Sequence, residues 1–123
     1  LCKLLPKIKA CTVHCVEDPK KPNIGLELFN CLQSCCNWGK VICNSVHSSH
    51  CGAGPICGYA NPALKPGKTT RIEKCVAHLC PLAFSVSMCG PVETTIVHEW
   101  THSCGYHLED IPQKVEDCVE KNL

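Results

Sequence analysis

The apolar residues in the first third of the chain repeat at helical spacing in two blocks. The second block predicts a helix over about residues 23–37, because its apolar residues recur every three or four positions. Those residues are Leu26, Phe29, Leu32 and Cys36. The first block predicts a helix that begins between Lys3 and Pro6, where a proline suits the first turn, and ends near Val16. Turn-forming residues at 17–25 separate the two blocks.

A helix with two different faces is predicted near the end of the chain, over residues 91–106. Four of its apolar residues fall on one side: Ile96, Val97, Trp100 and Cys104. His98 and His102 project from the other side, one helical turn apart. Gly105 follows at a position where a glycine with positive φ can end the helix. We therefore expect one face to pack into a core and the two histidines to face a cleft.

A last helix is predicted from the segment Asp110-Ile111-Pro112, which suits the N-cap and the first two helical positions. It should end at about Lys121, and Cys118 would tie it to the rest of the protein.

The middle of the chain, residues 38–90, is interrupted by glycines and prolines and predicts loops with short extended pieces at 40–43 and 56–60. Alternation of apolar and polar residues predicts strands at 69–77 and, more clearly, at 82–88. A helix over 72–79 competes with the first of these strands.

These elements predict a small α+β domain that is mainly helical. We expect a single disulfide-rich domain over residues 1–123, with a helical hairpin at 1–37 and a loop-rich part with a short irregular sheet at 38–90. The site helix and the last helix would occupy 91–123.

Fourteen cysteines in 123 residues indicate a disulfide scaffold, and the even count permits seven bridges without a free thiol. No two cysteines have the C-x-x-C spacing of most zinc knuckles and redox sites. We therefore expect oxidised cysteines and a secreted or otherwise extracytoplasmic location.

Charge and hydropathy exclude two classes of partner. The net charge is +1 and there is no basic stripe, so nucleic-acid binding has no electrostatic support. No apolar run is long enough to span a membrane.

The segment His98-Glu99-Trp100-Thr101-His102 has the pattern H-E-x-x-H. On a helix, the two imidazoles can bind a single metal ion, and the intervening glutamate can handle the proton of a water molecule activated by that ion. The competing interpretation is a helix surface with two solvated histidines and an exposed glutamate.

Residues 97–105, with the sequence Val-His-Glu-Trp-Thr-His-Ser-Cys-Gly, resemble the active-site helix of zincin metallopeptidases. Gly105, three residues after the second histidine, is similar to the metzincin subgroup. The third metzincin ligand would fall on Leu108, which cannot bind zinc. The candidates for that ligand, in order of preference, are His107, Asp110, Glu116 and Glu120. The loop at 47–51, which contains two histidines, is a more distant candidate, and a polar loop is its simpler interpretation.

The zincin resemblance implies a mechanism in which Glu99 is the general base toward a zinc-activated water. Tyr106 is the expected donor to the oxyanion, with Tyr59 or an unused histidine as alternatives. In such enzymes, substrate lies along an edge strand beside the cleft.

The two C-x3-C units at 11–15 and 31–35 resemble a disulfide-stapled helical hairpin. That resemblance implies the pairs Cys11–Cys35 and Cys15–Cys31.

The expected function is thus a secreted, zinc-dependent metallopeptidase that hydrolyses peptides or proteins. The alternative is a non-catalytic secreted disulfide-rich module, such as a toxin, an inhibitor or an extracellular assembly subunit. Secreted phospholipases A2 have a similar size and cysteine count, but their catalytic His and Asp are missing after Cys35-Cys36, where Asn37-Trp38-Gly39-Lys40 follow.

Overall fold

Two helices form the N-terminal part, as the apolar spacing predicts. In the computed structural model, which describes residues 1–60 and 75–123, a 3-10 turn at Leu5–Ile8 leads into α1, Lys9–His14. The second helix, α2, spans Ile24–Trp38. The buried side chains of this part include Leu5 of the 3-10 turn and Leu32 of α2, and both belong to the main hydrophobic cluster.

A small sheet lies between the helical regions. Its strands in the described part of the chain are β1, Lys40–Cys43, β2, Gly58–Ala60, and β3, Val76–Leu79, in the order β1-β3-β2. The central strand β3 runs parallel to β1 and antiparallel to β2. The extended pieces expected at 40–43 and 56–60 are therefore confirmed. Of the strand expected at 69–77, residues 69–74 lie outside the described residues. Val76 and Ala77 belong to β3, and residues 76–79 of the competing helix over 72–79 are strand and not helix.

The strand predicted at 82–88 is wrong. A 3-10 turn, Pro81–Phe84, and a single helical turn, α3, Val86–Cys89, occupy this stretch. Its alternation does not reflect a buried face, because Phe84, Val86 and Met88 are 60%, 68% and 65% exposed.

Helices α4, Val92–Ser103, and α5, Asp110–Asn122, complete the fold. α4 packs against α5 and against β2 and β3. Gly105 follows the end of α4 and has a φ of 102°, as expected from its position. The start of α5 differs by one residue from the prediction, since Glu109 occupies the N-cap position and Asp110 is the first helical residue.

The core confirms the predicted inner face of α4. Val97, Trp100 and Cys104 are buried, and they join residues of α5 such as Val115 in the main hydrophobic cluster. The Trp100 indole N–H donates to the Lys40 carbonyl oxygen at 3.3 Å, so the same side chain ties α4 to β1. The fold is that of a small, mainly helical, disulfide-rich α+β domain, as predicted.

Six disulfides cross-link these elements: Cys2–Cys36, Cys11–Cys118, Cys31–Cys104, Cys35–Cys75, Cys51–Cys80 and Cys57–Cys89. Cys15 and Cys43 are free, so the seventh bridge that the even count permits is not formed. The link predicted between the last helix and the body is confirmed through Cys118.

The pairing implied by the stapled-hairpin resemblance is also wrong, although α1 and α2 pack against each other. Cys11 bonds to α5, while Cys31 and Cys35 bond to residues beside α4 and β3. Gly25 of α2 lies so close to α1 that a Cβ there would collide with the Val13 carbonyl oxygen. The two helices thus meet through other residues, while Cys11, Cys31 and Cys35 bond to later parts of the chain and Cys36 bonds to Cys2. No helix among the described residues is long and apolar enough to cross a membrane.

Candidate metal centre

The two histidines of the H-E-x-x-H segment lie on α4 one turn apart, as the helical pattern requires. Their ring centroids are 5.0 Å apart. Both side chains are largely covered, with His98 14% and His102 15% exposed. The inner face of α4 is fixed in the core, so both rings project from a rigid element.

The Nε2 atoms of both rings converge on one carboxylate, that of Glu109. His98 Nε2 lies 2.8 Å from Glu109 Oε2, and His102 Nε2 lies 3.1 Å from Glu109 Oε1. One potential ligand atom from each of the three residues lies within 4.8 Å of the others. Glu109 stands at the N-cap of α5 and is 75% exposed. This arrangement can hold one metal ion between two imidazoles and a carboxylate.

The Nδ1 atoms of both histidines are engaged by acceptors outside this cluster. His98 Nδ1 is 2.7 Å from Glu116 Oε2 of α5, and His102 Nδ1 is 2.7 Å from the Tyr106 carbonyl oxygen. A carbonyl oxygen only accepts, so His102 Nδ1 carries the proton and its Nε2 is left with a lone pair when the ring is neutral. Such outer contacts are typical of histidines that bind metals through the other ring nitrogen.

The electrostatics of His98 reflect the carboxylates around it. Burial alone would lower its pKa, but the hydrogen bond with Glu116 and the negative charges of Glu99, Glu116 and Glu109 outweigh burial and raise the pKa above its usual value. Three carboxylates against two imidazoles make the site attractive to a cation.

Glu99 lies beside the two histidines and is only 7% exposed. Burial raises its pKa to about 7; the charge of His98 opposes this shift, and those of Glu109 and Glu116 add to it. A carboxyl group with such a pKa can accept and release a proton near neutral pH.

Two cavities meet at this cluster. The first, of about 340 Å³, is lined by His98, Glu99, Glu109 and Glu116 together with apolar side chains such as Met88. The second, of about 270 Å³, is lined by Glu99, His102 and Glu109, by His107 and by the whole of β2. Each has room for several water molecules or for a part of a larger ligand.

Gly58 allows β2 to come close to the site helix. A Cβ at this position would clash with the His78 carbonyl oxygen and would lie 3.1 Å from Thr95 Cγ2 and 3.5 Å from Glu99 Cγ. A larger residue would fill space beside the buried carboxylate, so the glycine helps to keep both cavities open.

The structure gathers some of the residues proposed from sequence and leaves others out. His98, Glu99 and His102 come together. His107 is exposed and lines the second cavity, but it is not a member of the three-residue cluster. None of the other candidates for the third ligand, Asp110, Glu116 and Glu120, belongs to this cluster, although Glu116 contacts His98 at Nδ1.

Tyr106 contributes its backbone and not its hydroxyl group to the site. Its ring packs against the hydrophobic cluster, and burial together with the charge of Glu27 raises the pKa of its hydroxyl. The side chain is not among those that line the two cavities. Tyr59 does line the second cavity, and its ring is stacked between those of His50 and His78 at centroid distances of 4.1 and 4.3 Å.

Glu109 is the residue that sequence reasoning missed. It lies seven positions after His102, outside the metzincin spacing and one position before the predicted last helix. A carboxylate at the start of a helix that follows H-E-x-x-H was the available signal.

Neither a protein family model, nor a curated protein, nor a solved structure matches this chain.

Proposed function

We propose that this protein is a zinc-dependent metallopeptidase with His98, His102 and Glu109 as its zinc ligands. The supporting observation is the convergence of both Nε2 atoms on one Glu109 carboxylate, while both Nδ1 atoms are held by other acceptors. Two histidines and a glutamate are a known ligand set for catalytic zinc, which keeps one position open to water or substrate.

The residues present suit a zinc ion in charge as well as in ligand type. In the proposed zinc-bound state, the ion would lie between the Glu109 carboxylate and the two rings, in place of their direct contacts. Glu109 is exposed, so its carboxylate can shift to make room for the ion. Glu116 would then act as the outer partner that orients His98, and the Tyr106 carbonyl would do the same for His102.

Glu99 is the proposed general base. When bound, zinc supplies a Lewis acid that polarises the scissile carbonyl and makes water a stronger nucleophile. Glu99 takes a proton from the attacking water at its carboxylate and delivers it to the leaving amine nitrogen as the peptide bond breaks. Because the group is buried next to both cavities, it can perform both steps without large movement.

We assign substrate binding to the edge of β2. Within the described residues β2 pairs only with β3, and its three residues line the second cavity. A peptide in extended conformation can add to such an edge through main-chain hydrogen bonds. Tyr59 and His107 line the same cavity and are the side-chain donors available to a developing oxyanion.

The cysteine chemistry supports an exported protein. The protein has six disulfides. Disulfides persist in oxidising compartments and are rare in the reducing cytosol.

The decisive variant is Glu99→Gln. It should bind zinc as tightly as the unaltered protein but hydrolyse a fluorogenic peptide library or labelled casein about 10²–10⁴ times more slowly, since general-base assistance is lost. Glu93→Gln is the matched control, because Glu93 lies on the first turn of the same helix and outside the cluster. Undiminished hydrolysis by Glu99→Gln would refute the assigned role.

A non-catalytic secreted module is the second candidate, and the exposed apolar stretch around Phe84, Val86 and Met88 favours it as a partner-binding surface. The two candidates are separated by washing the protein with a weak chelator and measuring zinc uptake. Absence of uptake at about micromolar zinc would favour the module.

A further inference from the structure

Four cysteine sulfurs are gathered at one point in the core, on the side of α4 away from its histidines. Cys31 and Cys35 come from α2, Cys75 directly precedes β3, and Cys104 directly follows α4. One sulfur from each lies within 4.8 Å of the other three, and all but Cys31 are fully buried. They form two disulfides side by side, Cys31–Cys104 and Cys35–Cys75.

The spacing between these two disulfides matches that of a tetrahedral metal site. Zinc–thiolate bonds of about 2.3 Å place the sulfurs of a four-cysteine site about 3.8 Å apart. The Sγ atoms of Cys35 and Cys104, which belong to different disulfides, are already 3.9 Å apart.

We propose that the reduced form of this protein binds one zinc ion through Cys31, Cys35, Cys75 and Cys104. This structural site is separate from the proposed catalytic centre and does not depend on it. Cys31 and Cys35 are four residues apart on one helix face, so two of the four ligands are held in place by α2 alone. The surrounding core excludes water, which favours a closed site with no open coordination position.

The two states interconvert by disulfide exchange. A zinc ion held by four thiolates reacts with two molecules of a small-molecule disulfide, each of which accepts two electrons and is cleaved to two thiolates. The products are the two protein disulfides, four small-molecule thiolates and free Zn²⁺, so electrons and charge balance. Excess small-molecule thiol reverses the reaction.

Both states connect the same three elements. Two disulfides or one zinc ion would each join α2 to the end of α4 and to the start of β3. The helix that carries His98 and His102 would therefore keep its support before the chain is oxidised. The remaining cross-links, such as Cys2–Cys36, are not part of any four-cysteine cluster among the described residues.

Cobalt binding to the reduced chain tests the proposal. The full chain carrying His98→Ala and His102→Ala, which removes the histidine site, is reduced with a phosphine, desalted without oxygen and titrated with Co²⁺. We expect one equivalent to bind with the thiolate-to-cobalt charge-transfer absorption and the visible bands of a tetrahedral ion, and Zn²⁺ to displace it. The same protein before reduction should show neither signal. Absence of these bands, or a stoichiometry above one, would overturn the proposal.

Serine variants identify the ligands. Cys104→Ser should lose the four-thiolate spectrum and weaken cobalt binding. The double variant Cys2→Ser, Cys36→Ser is the matched control, because it removes a disulfide of α2 outside the cluster and should leave the spectrum unchanged. Equal loss in both variants would show non-specific thiol binding and contradict the proposal.

Alkylation gives a second measurement that does not depend on the folding of a variant. Reduced chain is treated with iodoacetamide in the presence of zinc, and the modified cysteines are located by peptide mass spectrometry. We expect zinc-dependent protection, which is lost after a chelator is added, at residues 31, 35, 75 and 104 only. Cys15 is buried and can be protected with or without zinc. Zinc-dependent protection at other cysteines, or none, would overturn the assignment.

Discussion

The two faces of α4 are held in different ways. The inner face, with Val97, Trp100 and Cys104, is fixed by close packing and by a disulfide to α2. The outer face presents His98 and His102 to a cleft, where polar contacts with later residues, and not close packing, set the ring orientations: Glu116 and the Tyr106 carbonyl at Nδ1, and Glu109 at Nε2. One helix thus combines a rigid support with an accessible set of ligands.

This difference shows how so short a chain can present a cluster of residues that could hold a metal ion. Packing and cross-links fix the helix axis and hence the Cα positions of the two histidines. The proposed third ligand, Glu109, belongs to the exposed start of α5 and could adjust to an ion. Stability should therefore depend on the inner face, and metal binding on the outer face.

The largest effect is expected at the inner face. Trp100→Ala should lower the free energy of unfolding by about 3–5 kcal/mol, because it leaves a cavity where a buried indole packed. His102→Ala should cost only about 1 kcal/mol in the metal-free protein, the contribution of its hydrogen bond to the Tyr106 carbonyl. Chemical denaturation measures the free energy of unfolding of both variants. Similar losses of stability would contradict the proposed difference between the two faces.

The identity of the third ligand is tested by Glu109→Ala against His107→Ala. Loss of Glu109 should weaken zinc binding by more than the roughly 10–100-fold typical of a lost outer contact, since a ligand is removed. Loss of His107, which lines the neighbouring cavity, should leave the zinc affinity nearly unchanged. Competition with a chromophoric chelator measures the two affinities, and the reverse order would restore His107 as the ligand.

Glu116 should have an intermediate effect as a positioning residue. Glu116→Ala should weaken zinc binding roughly 10–100-fold, because His98 loses the acceptor at Nδ1 that orients its ring. Glu116→Gln, whose amide oxygen can still accept, should recover part of this loss. No difference between the two variants would indicate that Glu116 contributes through charge and not through orientation.

The smallest effect concerns the two free thiols. Cys43 is exposed and should react quickly with a maleimide, whereas Cys15 is buried and should react only after unfolding. Burial raises the pKa of the Cys15 thiol, which Lys114 counteracts and Asp117 reinforces, so the reactive thiolate is scarce. Mass spectrometry of the labelled protein should show one fast site, and equal labelling of both would contradict the burial of Cys15.

Local patterns were sufficient to predict most of the helices. The periodicity around Trp100 predicted α4 and its two faces, and Gly105 predicted where it ends. The strand prediction at 82–88 failed because apolar and polar residues also alternate where exposed apolar residues follow a short turn. Pro81 favours such a turn at the start of this stretch.

The cross-links and the position of Glu109 beside both histidines could not be predicted because both depend on tertiary packing. Cys11 and Cys35 suit a stapled hairpin by spacing, yet α5 lies against α1 and provides Cys118 for the bond. Glu109 and His107 are both possible metal ligands and lie only two positions apart in the sequence, so the sequence does not distinguish them. Only the turn between α4 and α5 decides which of them faces both rings.

The most direct test of the zinc centre is an anomalous-difference map at the zinc absorption edge, from crystals of the oxidised protein grown with equimolar Zn²⁺. We expect one peak within about 2.0–2.2 Å of His98 Nε2, His102 Nε2 and a Glu109 carboxylate oxygen. A well-ordered site without a peak, or a peak bound by other residues, would contradict the proposed centre.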